Sequence, residues 1–166
     1  KCVVEGFDTY VYSRSKAPNP KAALVEQIGA KYFSKYDMSP QELAEEVGNI
    51  DLVYEAVGGS EVAFDVLQVL GTNGIFVFTG IPAPETRLEI DSDILMRRIV
   101  LENLAIVGTV NADRQAFEDA IADLAEFKKR WPETIKGVIS GRFSVDDHEE
   151  LLVGKSQGIK NVIAFS

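Results

Sequence analysis

The sequence predicts an α/β fold with a doubly wound parallel sheet, and three observations carry that reading. Residues 51–58 (Asp-Leu-Val-Tyr-Glu-Ala-Val-Gly) and 74–82 (Gly-Ile-Phe-Val-Phe-Thr-Gly-Ile-Pro) are short runs rich in β-branched and aromatic residues. They lack polar/apolar alternation, which suits parallel strands covered on both faces. Between them, Glu61, Asp65 and Gln68 recur at i, i+4 and i+7 among apolar residues, the single wet stripe of a helix. Strand and helix patterns then alternate over the first 110 residues. In sheets of this kind ligands bind beyond the carboxyl ends of the strands. Those ends are Glu55-Ala56-Val57-Gly58 and Thr79-Gly80-Ile81-Pro82, two glycine-bearing turns that let a ligand reach the backbone.

Taken in order, residues 1–6 read as the tail of a helix stopped by Gly6, so an upstream part of the protein is expected before them. Residues 7–12 read as a strand ending in Ser13-Arg14-Ser15-Lys16. Asn19-Pro20 opens a helix with Pro at its first position, and Gly29 ends it. Residues 30–33 form a short strand. Ser39-Pro40-Gln41-Glu42 has capping-box spacing and starts a helix running to Gly48. In the central unit Ser60 is the expected N-cap and Gly71 the expected stop. Residues 83–88 read as loop. Residues 91–98 read as a helix with acids in its first turn and arginines in its last. Residues 103–109 read as a strand, and 114–129 as an amphipathic helix carrying Phe117, Ala120, Ile121, Leu124 and Phe127. After Trp131-Pro132 come a short run ending at Val138-Ile139, a Ser144-x-x-Asp147 cap, a small helix to Leu152 and a strand over 159–165. The change of texture puts a domain boundary near Asn111.

Composition narrows the function classes. A net charge of −9 argues against nucleic acid as a partner, because phosphate binding wants a basic face. No run approaches the roughly 18 apolar residues of a membrane span. A single cysteine, Cys2, allows no internal disulfide and suggests a reducing compartment, the cytoplasm. With Cys2 and His148 as the sole Cys and His, a tetrahedral zinc site made by this chain is not expected. His148 lies in Asp-Asp-His-Glu-Glu, consecutive residues on a predicted helix that point in different directions and read as a solvated face. Glu55 could serve as a base, but a strand-end carboxylate facing solvent or a helix N-terminus fits it better.

The turn at 13–16 is the most informative position. In a dinucleotide-binding fold it faces the adenosine ribose, where a carboxylate selects NAD and a basic residue accommodates the 2′-phosphate of NADP. Here it holds no acid, and a guanidinium can pair with phosphate through two hydrogen bonds. The competing reading is a solvated surface turn. A methyltransferase fits less well, since those folds want an acid at this strand end.

The series Tyr-Val-Tyr-Ser-Arg (10–14), residues 51–58, Phe-Thr-Gly-Ile-Pro (78–82), Leu-x-Asn-x-x-Ile-Val-Gly-Thr-Val-Asn (101–111) and Gly-Ile-Lys-Asn-Val-Ile (158–163) resembles the C-terminal part of a zinc-dependent medium-chain alcohol dehydrogenase. Within that group it is most similar to archaeal-type glucose dehydrogenases, over essentially the whole chain. The resemblance implies a Rossmann-like domain over 1–110 that lacks its first strand and glycine-rich turn. A C-terminal α+β extension over 111–166 would pack on a catalytic domain outside this sequence. No two glycines here are separated by a single residue, so the G-x-G-x-x-G fingerprint is absent.

The resemblance also implies site roles. Ser13 and Arg14, with Lys16 beside them, would hold the 2′-phosphate of NADP, with NAD also possible. Ala56, Val57, Thr79, Gly80 and Ile81 would pass along the cofactor. Val110 and Asn111 would sit near the nicotinamide, and Asn111 near the sugar. Lys160 would contact the cofactor phosphates, or else is a charge at the start of an edge strand. No catalytic group and no metal ligand falls in this chain. The parent would be an NADP-using glucose or aldose 1-dehydrogenase, homo-oligomeric at full length, with zinc in its N-terminal domain; this stretch alone would be inactive. The alternatives are a zinc-free medium-chain NADPH reductase and a nucleotide-sensing module without chemistry.

Overall fold

The computed structural model describes residues 1–83, 87–154 and 158–165, with Glu150 by its backbone alone. They fall into two compact units, Met38–Asn111 and the combination of Lys1–Asp37 with Ala112–Ser166. Three residues of the loop expected over 83–88, residues 84–86, lie outside the described set.

The unit Met38–Asn111 is built on three parallel strands in the order β3-β4-β5, with β3 Leu52–Glu55, β4 Ile75–Phe78 and β5 Ala105–Gly108. Helices α2 (Pro40–Val47), α3 (Ser60–Leu67) and α4 (Ser92–Leu101) complete it. α2 starts where its capping box predicts: Ser39 Oγ accepts from Glu42 N–H at 3.2 Å, and Glu42 Oε2 accepts from Ser39 N–H at 2.7 Å. These bonds hold the Glu42 carboxyl below the usual carboxylate range. Phe76, Leu67 and Leu70 are fully buried and form the core with Ala63, Val66 and Leu104. Phe78 extends that layer, its ring centroid 4.5 Å from Phe76 and 5.9 Å from Phe64.

Three expectations for this unit are corrected. The register aligns Leu52 with Ile75 and Tyr54 with Val77 on one sheet face, and Leu52 (51 % exposed), Tyr54 (67 %) and Ile75 (43 %) remain open there. One face of the sheet is covered by the described residues, not both. Apolar continuity marks a strand fit for burial on two sides; it does not say that both covers are present. Second, Ser60 is the first helical residue of α3, and the N-cap is Gly59, without a side-chain bond. Third, α3 ends at Leu67, and Gly71 is not among the residues with left-handed backbone. Gly71 is small for another reason, because a Cβ there would strike the Asn49 side chain.

The end of α3 is instead tied by α4, which runs one turn beyond the arginines expected to close it. Arg98 donates to the carbonyls of Gln68 and Leu70, the latter at 2.8 Å, and to both oxygens of Glu102 at 2.9 and 2.5 Å. Asn103, expected to begin the next strand, adopts φ 53°, so β5 starts after it.

In the other unit, β1 (Tyr10–Ser13) pairs in parallel with β2 (Lys31–Ser34), joined by α1 (Pro20–Gln27). Asn19 caps α1 by accepting from Lys21 and Ala22 N–H at 2.9 and 3.0 Å. The amphipathic helix α5 spans Arg114–Arg130, capped by Asp113. The run after Trp131, which the sequence leaves without a type, is a helix, α6, over Pro132–Val138. The strand β6 begins there, at Ile139–Ser144. The expected cap follows, with Ser144 and Asp147 in a reciprocal box, then α7 (His148–Val153) and β7 (Lys160–Ala164), parallel to β6.

Candidate functional site

In the unit Met38–Asn111 the carboxyl ends of β3, β4 and β5 come together. Thr79 N–H and Thr79 Oγ donate to the Glu55 carbonyl at 3.0 and 2.8 Å, and Thr109 N–H donates to the Phe78 carbonyl at 3.0 Å. The three-strand ladder therefore continues into the turns. A shallow depression of about 250 Å³ opens there, lined by 78–81 at the end of β4 and by Gly108, Thr109 and Val110 at the end of β5. Of the residues expected at a site, Thr79, Gly80, Ile81 and Val110 line it. Ala56 and Val57 follow β3 at the same sheet end, both exposed. Asn111 lies one residue beyond Val110 with φ 63°, so the chain turns sharply at that point. Asparagine tolerates this conformation better than most side chains.

The glycines of these turns are required by contact. A Cβ on Gly80 would collide with the backbone nitrogen of Gly58, and one on Gly58 would lie 2.5 Å from the Ile81 carbonyl oxygen. Gly58 also holds φ +71°. The turn after β3 and the turn after β4 thus touch backbone to backbone, with Glu55 beside them. Glu55 is neither a free base nor a solvent-facing carboxylate. Its Oε1 accepts from Val57 and Gly58 N–H at 2.8 and 2.7 Å, and its Oε2 accepts from Gly80 N–H at 3.2 Å.

In the other unit, Ser13 ends β1, and Arg14 and Lys16 follow it. The backbone of this turn is fixed from several sides. Ser13 Oγ accepts from Ser15 N–H at 3.3 Å, Tyr32 Oη donates to the Ser15 carbonyl at 2.7 Å, and Asn19 Nδ2 donates to the Lys16 carbonyl at 2.9 Å. Arg14 is exposed, and no hydrogen bond or ion pair engages its guanidinium among the described residues. Lys16 Nζ instead lies 3.6 Å from Asp37 Oδ1 and 5.9 Å from the Tyr36 ring centroid. Asp37 is distant in sequence, so the turn looked free of acid until β2 brought one beside it. Lys160 opens β7, exposed, with its N–H 3.4 Å from Ser140 Oγ. It belongs to the separate β6-β7 sheet, not to the one that carries Arg14.

Among the described residues no group of three or more His, Cys, Asp and Glu is placed to hold a metal ion. His148 is exposed at the start of α7, with Nδ1 3.0 Å from the Val145 carbonyl.

Parallel strands, helical crossovers and glycine turns gathered at the strands' carboxyl ends define a Rossmann-like α/β protein of the dehydrogenase type. The match to a family model is specific: residues 2–165 fit the glucose dehydrogenase C-terminus, and the chain belongs to that family. It is 28 % identical over 158 residues to the glucose 1-dehydrogenase of Methanocella arvoryzae, covering 95 % of this chain and 44 % of that protein. Among solved structures it is similar to Haloferax mediterranei glucose dehydrogenase in complex with NADP, Zn and gluconolactone. The TM-score is 0.81 at 25 % identity, over 98 % of this chain and 44 % of the other. An alcohol dehydrogenase from Thermotoga maritima shares the fold, with TM-score 0.72 at 20 % identity over 89 % and 40 % of the two chains. The chain thus spans less than half the length of the proteins it matches.

Proposed function

We propose that this chain is the cofactor-binding and C-terminal portion of an NADP-using glucose, or more broadly aldose, 1-dehydrogenase. The observation that carries the reading is Arg14, exposed at the carboxyl end of a parallel strand, its guanidinium engaged by no hydrogen bond or ion pair among the described residues. A 2′-phosphate is the part of NADP that distinguishes it from NAD, and a planar guanidinium can pair with it twice. The open depression with its two glycine turns supports the passage of a flat, extended cofactor along 56–58 and 79–81. Val110 and Asn111 would face the nicotinamide end, Asn111 also the sugar, and Lys160 a cofactor phosphate. Residues 1–110 would form the dinucleotide-binding stretch, and 111–166 the extension that packs on the catalytic domain.

The reaction removes a hydride from the anomeric carbon and a proton from its hydroxyl, giving the lactone and NADPH. Zinc, where the whole enzyme binds it, would polarise that hydroxyl. The described residues do not fit such a metal, so the part assigned to this chain is to bind and orient the dinucleotide. We further place the enzyme in the cytoplasm as a homo-oligomer; no helix among the described residues is long and apolar enough to cross a membrane.

Two measurements test the reading. The 166-residue chain assayed with glucose, NADP and zinc is expected to give no turnover, and turnover above a metal-only blank would place the chemistry here after all. The full-length enzyme is expected to bind NADP more tightly than NAD, with the preference abolished by Arg14→Ala. An unchanged preference in that variant would remove Arg14 from the cofactor site.

A further inference from the structure

We infer that Glu55 is a positioning residue, whose carboxylate clasps the turn after β3 to the turn after β4 and fixes the shape of the cofactor cleft. The inference rests on the dinucleotide reading above for the identity of the ligand, but not for the clasp itself. Three backbone N–H groups converge on one carboxylate, Val57 and Gly58 on Oε1 and Gly80 on Oε2. The same residue's carbonyl accepts from Thr79 N–H, from its hydroxyl and, at 3.3 Å, from Gly80 N–H. One residue therefore accepts from Val57 and Gly58 in the first turn and from Thr79 and Gly80 in the second. Charge-assisted bonds of this kind are shorter and stronger than neutral ones.

Sterics sharpen the point. Gly58 and Gly80 meet without room for a Cβ on either, so no side chain of the turns can separate or brace them. Glu55 is the brace. The geometry also says what the cleft takes at this point. The amides of Val57 and Gly58 would otherwise resemble an anion cradle ahead of α3. They are already filled by the Glu55 carboxylate, whose charge repels a second anion. The turns at 56–58 and 79–81 then meet an uncharged portion of the ligand, a base or ribose face. The clasp should accordingly act on NAD and NADP alike.

The test uses the full-length enzyme with Glu55→Gln and Glu55→Ala. Glutamine keeps the shape but turns one acceptor oxygen into an NH₂ donor, so at least one of the three amides loses its partner. Calorimetric Kd values are measured for NAD and NADP, with amide exchange followed at residues 57, 58 and 80. Glu55→Ala is expected to raise both Kd values by about tenfold, the scale of one lost charge-assisted bond. Glu55→Gln should recover part of that loss, with equal effects on the two cofactors. Exchange at one or both turns should quicken by about tenfold in Glu55→Gln. Unchanged Kd values in folded Glu55→Ala would overturn the inference, as would a loss confined to NADP. If Glu55→Ala does not fold, Glu55→Gln decides: unchanged exchange at all three amides overturns the clasp. If the unmutated enzyme binds neither cofactor, the dinucleotide reading fails, while the exchange result still judges the clasp.

Discussion

The turn at 13–16 and the paired turns at 56–58 and 79–81 each follow parallel strands, yet they use their polar groups in opposite ways. In the paired turns the backbone donors are consumed internally by Glu55, and the glycines allow a contact that no other residue could make. At 13–16 the backbone is pinned by Tyr32 and Asn19, which leaves Arg14 directed to solvent with no partner among the described residues. One region supplies shape, the other supplies unspent charge. Arg98 makes the contrast plainer, since all its donors in use go to Gln68, Leu70 and Glu102. An arginine saturated by its own fold is structural; one held ready but unpaired is available to an anion.

The largest effect that can break this comparison is on affinity. In the full-length enzyme, Arg14→Ala should weaken NADP by roughly 10- to 150-fold, the equivalent of about 1.5–3 kcal/mol for hydrogen bonds to a charged group. NAD should be nearly unaffected, and the NADP effect should shrink at high salt. Equal weakening of both cofactors would make Arg14 a structural residue like Arg98.

Next is the contact between the glycines. Gly80→Ala should destabilise the protein by about 2–3 kcal/mol, at the upper part of the range for forcing atoms into packed space. Gly108 provides the control, because a Cβ there meets nothing within 4 Å, and Gly108→Ala should stay within about 0.5 kcal/mol. Urea midpoints at constant m-value measure both. Similar values for the two variants would mean that the backbone-to-backbone contact is not maintained in solution.

A smaller effect concerns pH. The Arg98 hydrogen bond, aided by its charge and opposed by desolvation, holds the Glu102 carboxyl below its ordinary range. Its folded pKa is lower than its unfolded one, so the unfolded chain binds more protons in between. The stabilisation is complete above the ordinary glutamate range and is lost as pH falls through the folded value. For a pair with side chains 22 % and 30 % exposed it should amount to about 1 kcal/mol or less. Stability curves at pH 7 and pH 3 for the native protein and Glu102→Gln should therefore converge at the acid end. Curves that stay parallel would show that the pair contributes nothing.

The smallest effect should come from Lys16→Ala, about threefold or less on NADP affinity. Lys16 has Asp37 within 3.6 Å and a flexible stem. A loss as large as that of Arg14→Ala would mean that the ion pair with Asp37 opens when the cofactor binds.

Much of the local structure was legible without coordinates, because its signals lie within a few residues of one another. Asn19, Ser39 and Ser144 cap helices by bonds to the next two or three amides, and each was visible as spacing. The run after Trp131 was less legible, since Gly137 breaks the helical period of α6 and hides where β6 begins. Ser60 misled for a related reason: the cap pattern was present, but the helix takes Ser60 as its first residue and Gly59 as its cap.

By itself the sequence determined the parallel α/β class, the order of strands and helices from β1 to α5, and the basic turn with Arg14, all properties of neighbouring residues and their periodicity. The role of Glu55, the pairing of Lys16 with Asp37, the reason for Gly71 and the open face of the β3-β4-β5 sheet were decided by tertiary structure alone. Each depends on groups that are separated along the chain or on atoms meeting within a few ångströms. Gly80 lies 25 residues from Glu55, and nothing in the spacing reveals that their atoms meet. Periodicity reports which side of an element is apolar; only packing determines what, if anything, comes to rest against it.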